Sequence, residues 1–141
     1  MAKVRTAYLK REHVPSRTAL QDAIKHLRFK IILDESYTPF DCTGYIPCTL
    51  DGEDAGVDIK FGATDFNALA PTVKAAIGDR DTTINIRSGA DPREIVSADI
   101  IAATLANSFE ALIQNRGEDD LENAEELLNS ARSTFRELSE F

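Results

Sequence analysis

Carboxylates and arginines are the residue types here whose spacing could do chemistry. Asp51, Glu53, Asp54 and Asp58 fall within one short stretch, and Asp79 and Asp81 flank Arg80. Two carboxyls held roughly 5 to 9.5 Å apart across a cleft hydrolyse glycosides, but spacing along a chain does not set that distance. A calcium loop needs acidic or amide ligands at alternate positions, a central Gly and a late Glu, and this order does not match. The cluster therefore reads first as solvated turn carboxylates, with a partner-binding patch at Asp51, Glu53 and Asp54, or a weak divalent-ion site, as the alternatives. Arg80 and Arg87 are the candidates for holding an anionic ligand, because Arg87 precedes Ser88-Gly89 and the helix start at Asp91, and helix starts beside sheet ends attract anions.

Other catalytic sets are missing. His13 and His26 are the only histidines, and a zinc site would need both of them together with Cys42 and Cys48, at no recognised spacing. Neither G-x-x-x-x-G-K-[ST] nor G-x-G-x-x-G occurs, which removes the common nucleotide loops. No catalytic residue, metal ligand or cofactor is expected. Cys42 and Cys48 lack C-x-x-C spacing; on one extended strand they would lie roughly 20 Å apart, beyond disulfide reach. Two free thiols are expected, unless a loop before Gly44 brings them together.

The 141 residues suffice for one domain with an ordinary core, and 43% hydrophobic against 28% charged residues describes a globular chain. No apolar run approaches the roughly 20 residues that span a bilayer, and no apolar segment follows Met1-Ala2-Lys3-Val4-Arg5, so the cytoplasm is the expected location. The net charge of −8 is uneven. Residues 1–30 hold eight Lys and Arg against Glu12 and Asp22, a local balance of +6, which leaves −14 for the rest. That acidic majority argues against nucleic-acid binding by the whole chain, since phosphate contacts need a dominant basic surface. The basic segment keeps nucleic-acid contact open as a minor alternative to neutralising the protein's own acids.

The elements that must position these residues follow from periodicity. Residues 1–15 form a basic lead-in in which Val4, Thr6 and Tyr8 alternate as a short edge strand would. Ser16 caps a helix bearing Leu20, Ala23, Ile24 and Leu27, and Phe29, Ile31 and Leu33 alternate as the next strand. Asp51 to Gly56 reads as a tight turn joining Tyr45–Leu50 to Val57–Phe61, with Pro47 marking the first strand as an edge or a bulge. A helix interrupted at Pro71 ends at Gly78, and Thr82–Arg87 is a strand. Asp91, Pro92 and Glu94 start a long helix whose stripe runs from Ile95 through Leu112, closed by Arg116-Gly117. Residues 118–141 read as an acidic amphipathic helix, with Leu128 and Phe135 on an apolar stripe able to pack inward, meet a partner or pair with its twin.

Gly44-Tyr45-Ile46-Pro47-Cys48, Leu50 to Val57, and Gly78-Asp79-Arg80-Asp81-Thr82 followed by Ile84 and Arg87 resemble a group of small uncharacterised bacterial proteins. These share a Pro-Cys strand, a Gly-Glu-x-x-Gly hairpin, a Gly-x-Arg-Asp turn and a following Ala-rich helix. The likeness spans roughly residues 20–113. Val57-Asp58 stands where the group has Phe-Glu, and the helix after Gly117 is an addition. The resemblance implies a fold and a bacterial setting, and by analogy of size and style an immunity partner of a toxin. The expected architecture is α+β, in a single domain 1–141: a mainly antiparallel sheet of about four strands, helices packed chiefly on one face, and the acidic C-terminal helix. The expected function is a non-enzymatic, inhibitor-like interaction module that binds a basic protein; a small anionic-ligand protein or enzyme using Arg80 and Arg87 is the alternative.

Overall fold

A computed structural model describes residues 3–115 and 121–139. The strands are β1 (Lys3–Leu9), β2 (Ile31–Leu33), β3 (Thr43–Leu50), β4 (Glu53–Ala63), β5 (Thr82–Ser88), β6 (Leu112–Asn115) and β7 (Leu121–Glu122). They form one antiparallel sheet of seven strands in the order β2-β3-β4-β5-β1-β6-β7, not about four. The helices are α1 (Arg17–His26), α2 (Pro71–Ile77), α3 (Pro92–Ser108) and α4 (Ala124–Ser139). None of them is long and apolar enough to cross a membrane.

β1 is not an edge strand. It pairs with β5 on one side and with β6 on the other. β6 lies in the stretch read as the end of the long helix, because Leu112 continues the spacing of Leu105 and Phe109. The helix instead stops at Ser108, where Phe109 leaves helical geometry at φ −128° and Glu110 turns left-handed at φ 60°. Of the acidic helix expected over 118–141, Leu121 and Glu122 pair as β7, and the described helix begins at Ala124. Arg116 to Asp120, at the join, lie outside the described residues.

Strand alternation sorts the side chains onto two faces. Ala7, Leu9, Ile46, Cys48, Val57, Ile59, Ile84, Ile86 and Ile113 point into the main core, which α1 fills with Leu20 and Ile24, α3 with Ile100, Ile101 and Leu105, and α4 with Leu127 and Ala131. Tyr8 projects the other way and meets Val73 and Ile77 of α2, with Leu112 and Leu121 beside it. The caps form as their residues dictate: Ser16 Oγ accepts the Ala19 N–H, and Asp91 accepts the Arg93 N–H ahead of Pro92.

One ion pair lies deep in the core. Arg5, only 4% exposed, donates through Nε to Asp99 Oδ1 of α3 at 2.7 Å, and Asp99 is 2% exposed. Its Nη1 donates to Asn115 at 2.7 Å and to Glu122 at 3.3 Å. The guanidinium fork thus fastens α3, β1, β6 and β7 together. At the far edge, buried Gln21 of α1 donates to the Ile31 carbonyl and accepts the Leu33 N–H, both at 2.7 Å. It takes up backbone groups on the open side of β2.

Candidate functional site

The β3–β4 turn consists of Asp51 and Gly52 alone, at φ 52° and 82°. Glu53 to Gly56, expected in the turn, belong to β4. A two-residue loop with both residues at positive φ sets the register, so Leu50 faces Glu53, Pro47 faces Gly56 and Tyr45 faces Asp58. Pro47 does not mark a bulge. Its carbonyl accepts the Asp34 N–H at 3.3 Å, and the N and C=O of a strand residue point to the same side, so its missing donor falls on the β2 side and the β3–β4 ladder is intact.

This register lays out the outer face of β2 to β5, opposite the main core. Ile32, Thr49 and Asp54 form one row across it, and Tyr45, Asp58, Arg87 and Val4 another. Tyr45 and Ile32 are each 55% exposed. The Tyr45 ring is nonetheless held in place. A Cβ on Gly56 would lie 2.2 Å from the Tyr45 Oη, so the ring lies over the space a side chain would fill, and the hydroxyl donates to the Ala55 carbonyl at 3.2 Å. Burial of that hydroxyl, and then the negative fields of neighbours that include Glu94, Asp54 and Asp58, push the phenol above its ordinary value. An exposed aromatic fixed among carboxylates is suited to meet a cation.

The candidate residues are scattered around this face. Asp51 lies 3.6 Å from Lys30 Nζ, Glu53 pairs with Arg93 at 2.5 Å, and Asp54 is exposed. Leu128 and Phe135 of α4 are half-buried against the main core, so inward packing takes up the stripe on which they lie. Arg80 is a structural residue: its guanidinium donates to the Ile77 carbonyl at 3.0 Å and the Glu110 carbonyl at 3.1 Å. Arg87, at the other end of β5 and roughly 20 Å away at about 3.3 Å per residue, borders a cavity of about 340 Å³ with Lys60, Asn85, Asp58 and Val4. Neither Arg87 nor Lys60 has an ion pair among the described residues.

Part of the basic N-terminal segment is engaged within the protein. Arg5 is buried with Asp99, Lys10 lies 3.5 Å from Asp79, and the Arg11 guanidinium sits 4.0 Å over the Phe40 ring. Arg11, Phe40, Phe61 and Asp81 line a second cleft of about 430 Å³. There Asp81 accepts the Arg11 N–H at 2.9 Å and the Thr82 hydroxyl at 3.2 Å, and the Arg11 bond above all holds its carboxyl below the usual range. His13 lies 3.3 Å from Glu110. Cys42 and Cys48 are buried free thiols, and burial pushes Cys48 up to about 11. Among the described residues no three His, Cys, Asp or Glu gather as a metal site.

The residues sequence reasoning missed are Tyr45, Ile32 and Lys60. The signal was available for Tyr45: Asp-Gly at a two-residue turn implies Pro47 opposite Gly56, and so a ring at position 45 beside a glycine on the same face. Comparison with protein-family models, curated proteins and solved structures found no match for this chain.

Proposed function

We propose that the protein is a non-enzymatic, inhibitor-like interaction module that binds a basic partner protein on the outer sheet face around Tyr45. The observation that carries this reading is a half-exposed tyrosine, immobilised over Gly56, with Asp54 and Asp58 on the same face. Fixed tyrosines make strong interface anchors because little rotamer freedom remains to be lost on binding. Exposed Ile32 and Pro47 supply apolar area beside it, and the net charge of −8 favours encounter with a basic surface. The setting proposed is the bacterial cytoplasm, supported by the resemblance of the hairpin and Gly-x-Arg-Asp segments and by two unbridged thiols. The test is capture by the immobilised protein from bacterial lysate. A basic polypeptide should be retained, lost with Tyr45→Ala/Asp58→Asn and kept with Asp22→Asn on α1. Retention that ignores the Tyr45 and Asp58 changes refutes the assignment.

A second reading rests on the cavity at Arg87. Lys60 and Arg87 are diagonal neighbours on adjacent strands, with no ion pair among the described residues and with Asn85 opposite Lys60 and Asp58 opposite Arg87, an arrangement whose two cations could hold a small anion. Arg80 has no part in it. Pyrophosphate should raise the melting temperature of the wild type and not of Arg87→Ala; equal shifts in both would exclude this site.

A further inference from the structure

We infer that the partner's contact segment is extended and basic, and that it adds to the sheet as a strand alongside β3 at Tyr45. This rests on the interaction reading above and specifies how that face is engaged. β2 covers only part of β3. It pairs with Cys48 to Leu50, Asp34 reaches Pro47, and from Thr43 to Ile46 β3 is laddered to β4 alone. Since the Pro47 carbonyl faces the β2 side, the two-residue period of a strand turns the N–H and C=O of Tyr45 to that same side. Among the described residues no backbone group bonds them there. The outer side of β2 offers no equivalent, because Gln21 takes the Ile31 carbonyl and the Leu33 N–H.

Backbone pairing alone would accept any sequence, and the side chains on this face select among them. A residue directly opposite Tyr45 on an added strand would flank the tyrosine on the side away from Gly56, and a long side chain there could reach across the ring toward Asp58 on β4. A lysine or arginine there gains a cation–π contact and a carboxylate together. Pro47, exposed on the same face at the end of the open segment, offers an apolar neighbour two residues along. The fitting segment therefore carries cationic residues on one face of an extended strand, the strand-addition mode of recognition.

The probe is a fluorescein-labelled nonapeptide of alternating valine and lysine, titrated against the full chain by anisotropy. Saturable binding is expected, at least tenfold weaker when lysine is replaced by glutamate. It should also be at least tenfold weaker when one of the two alternate sets of peptide amides is N-methylated, a change that keeps the charge and removes the donors. The Tyr45 amide should gain protection from hydrogen exchange in the complex. If neither N-methylated peptide weakens binding, or if the parent peptide does not bind, strand addition is wrong. Tyr45-dependent capture of a basic polypeptide would still uphold the interaction reading in that case, and its loss would remove both.

Discussion

Replacing Asp99 by alanine takes away the one partner of Arg5, among the described residues, that is as deeply buried as Arg5 itself. The guanidinium keeps Asn115 at 2.7 Å and Glu122 at 3.3 Å, and the Glu122 side chain is 26% exposed. Breaking a buried pair from one side costs about 3–5 kcal/mol. The residual contacts place this case at the low end, about 3 kcal/mol, or roughly 10 °C in melting temperature for a chain of this length. Urea denaturation followed by circular dichroism measures it. Glu122→Gln, which removes the more exposed carboxylate, should cost less than about 1 kcal/mol. Arg5→Met/Asp99→Leu should recover much of the loss, since apolar side chains of similar volume often replace a buried ion pair at little cost. A loss below about 1 kcal/mol for Asp99→Ala, or strict additivity in the double variant, would refute the view that this pair fastens α3 to the sheet.

Three other outcomes are expected. Gly56→Ala must displace the Tyr45 ring, with a loss of about 1–3 kcal/mol in denaturant unfolding that largely disappears in a Tyr45→Ala background. The lowered carboxyl of Asp81 stabilises the fold above the ordinary carboxylate range and loses that effect as pH falls through its folded value. The difference in melting temperature between wild type and Asp81→Asn should therefore be present at pH 7 and vanish in acid. Cys48, buried and pushed up to about 11, should react with a disulfide reagent at pH 8 only when urea unfolds the chain.

Local chemistry was legible in the sequence and long-range pairing was not. Ser16, Asp91-Pro92 and Asp51-Gly52 act through neighbours a few residues away, and each performs the cap or turn its type implies. β6 escaped because Leu112 falls in helical register with Leu105 and Phe109, while the break comes at Glu110, where no glycine announces a left-handed turn. Without β6, β1 lacked its second neighbour and read as an edge. Arg5 looked like one more charge in a basic lead-in, because its burial depends on Asp99, 94 positions away. The site was half visible. Asp54 and Arg87 were named for their charge and do lie on the outer face, whereas Arg80 serves backbone carbonyls that no spacing rule reveals.

Gln21 bears on where strand pairing can extend. Its amide presents a donor and an acceptor as a neighbouring strand would, but it belongs to a helix and has no further edge to pass on. With that carbonyl and N–H taken, β2 is a poor template for further strand pairing. With β2 closed and β3 open only at the few residues around Tyr45, this side of the molecule has room for one short added strand. The strand addition proposed above would thus be confined to that short stretch of β3 and could not extend along β2.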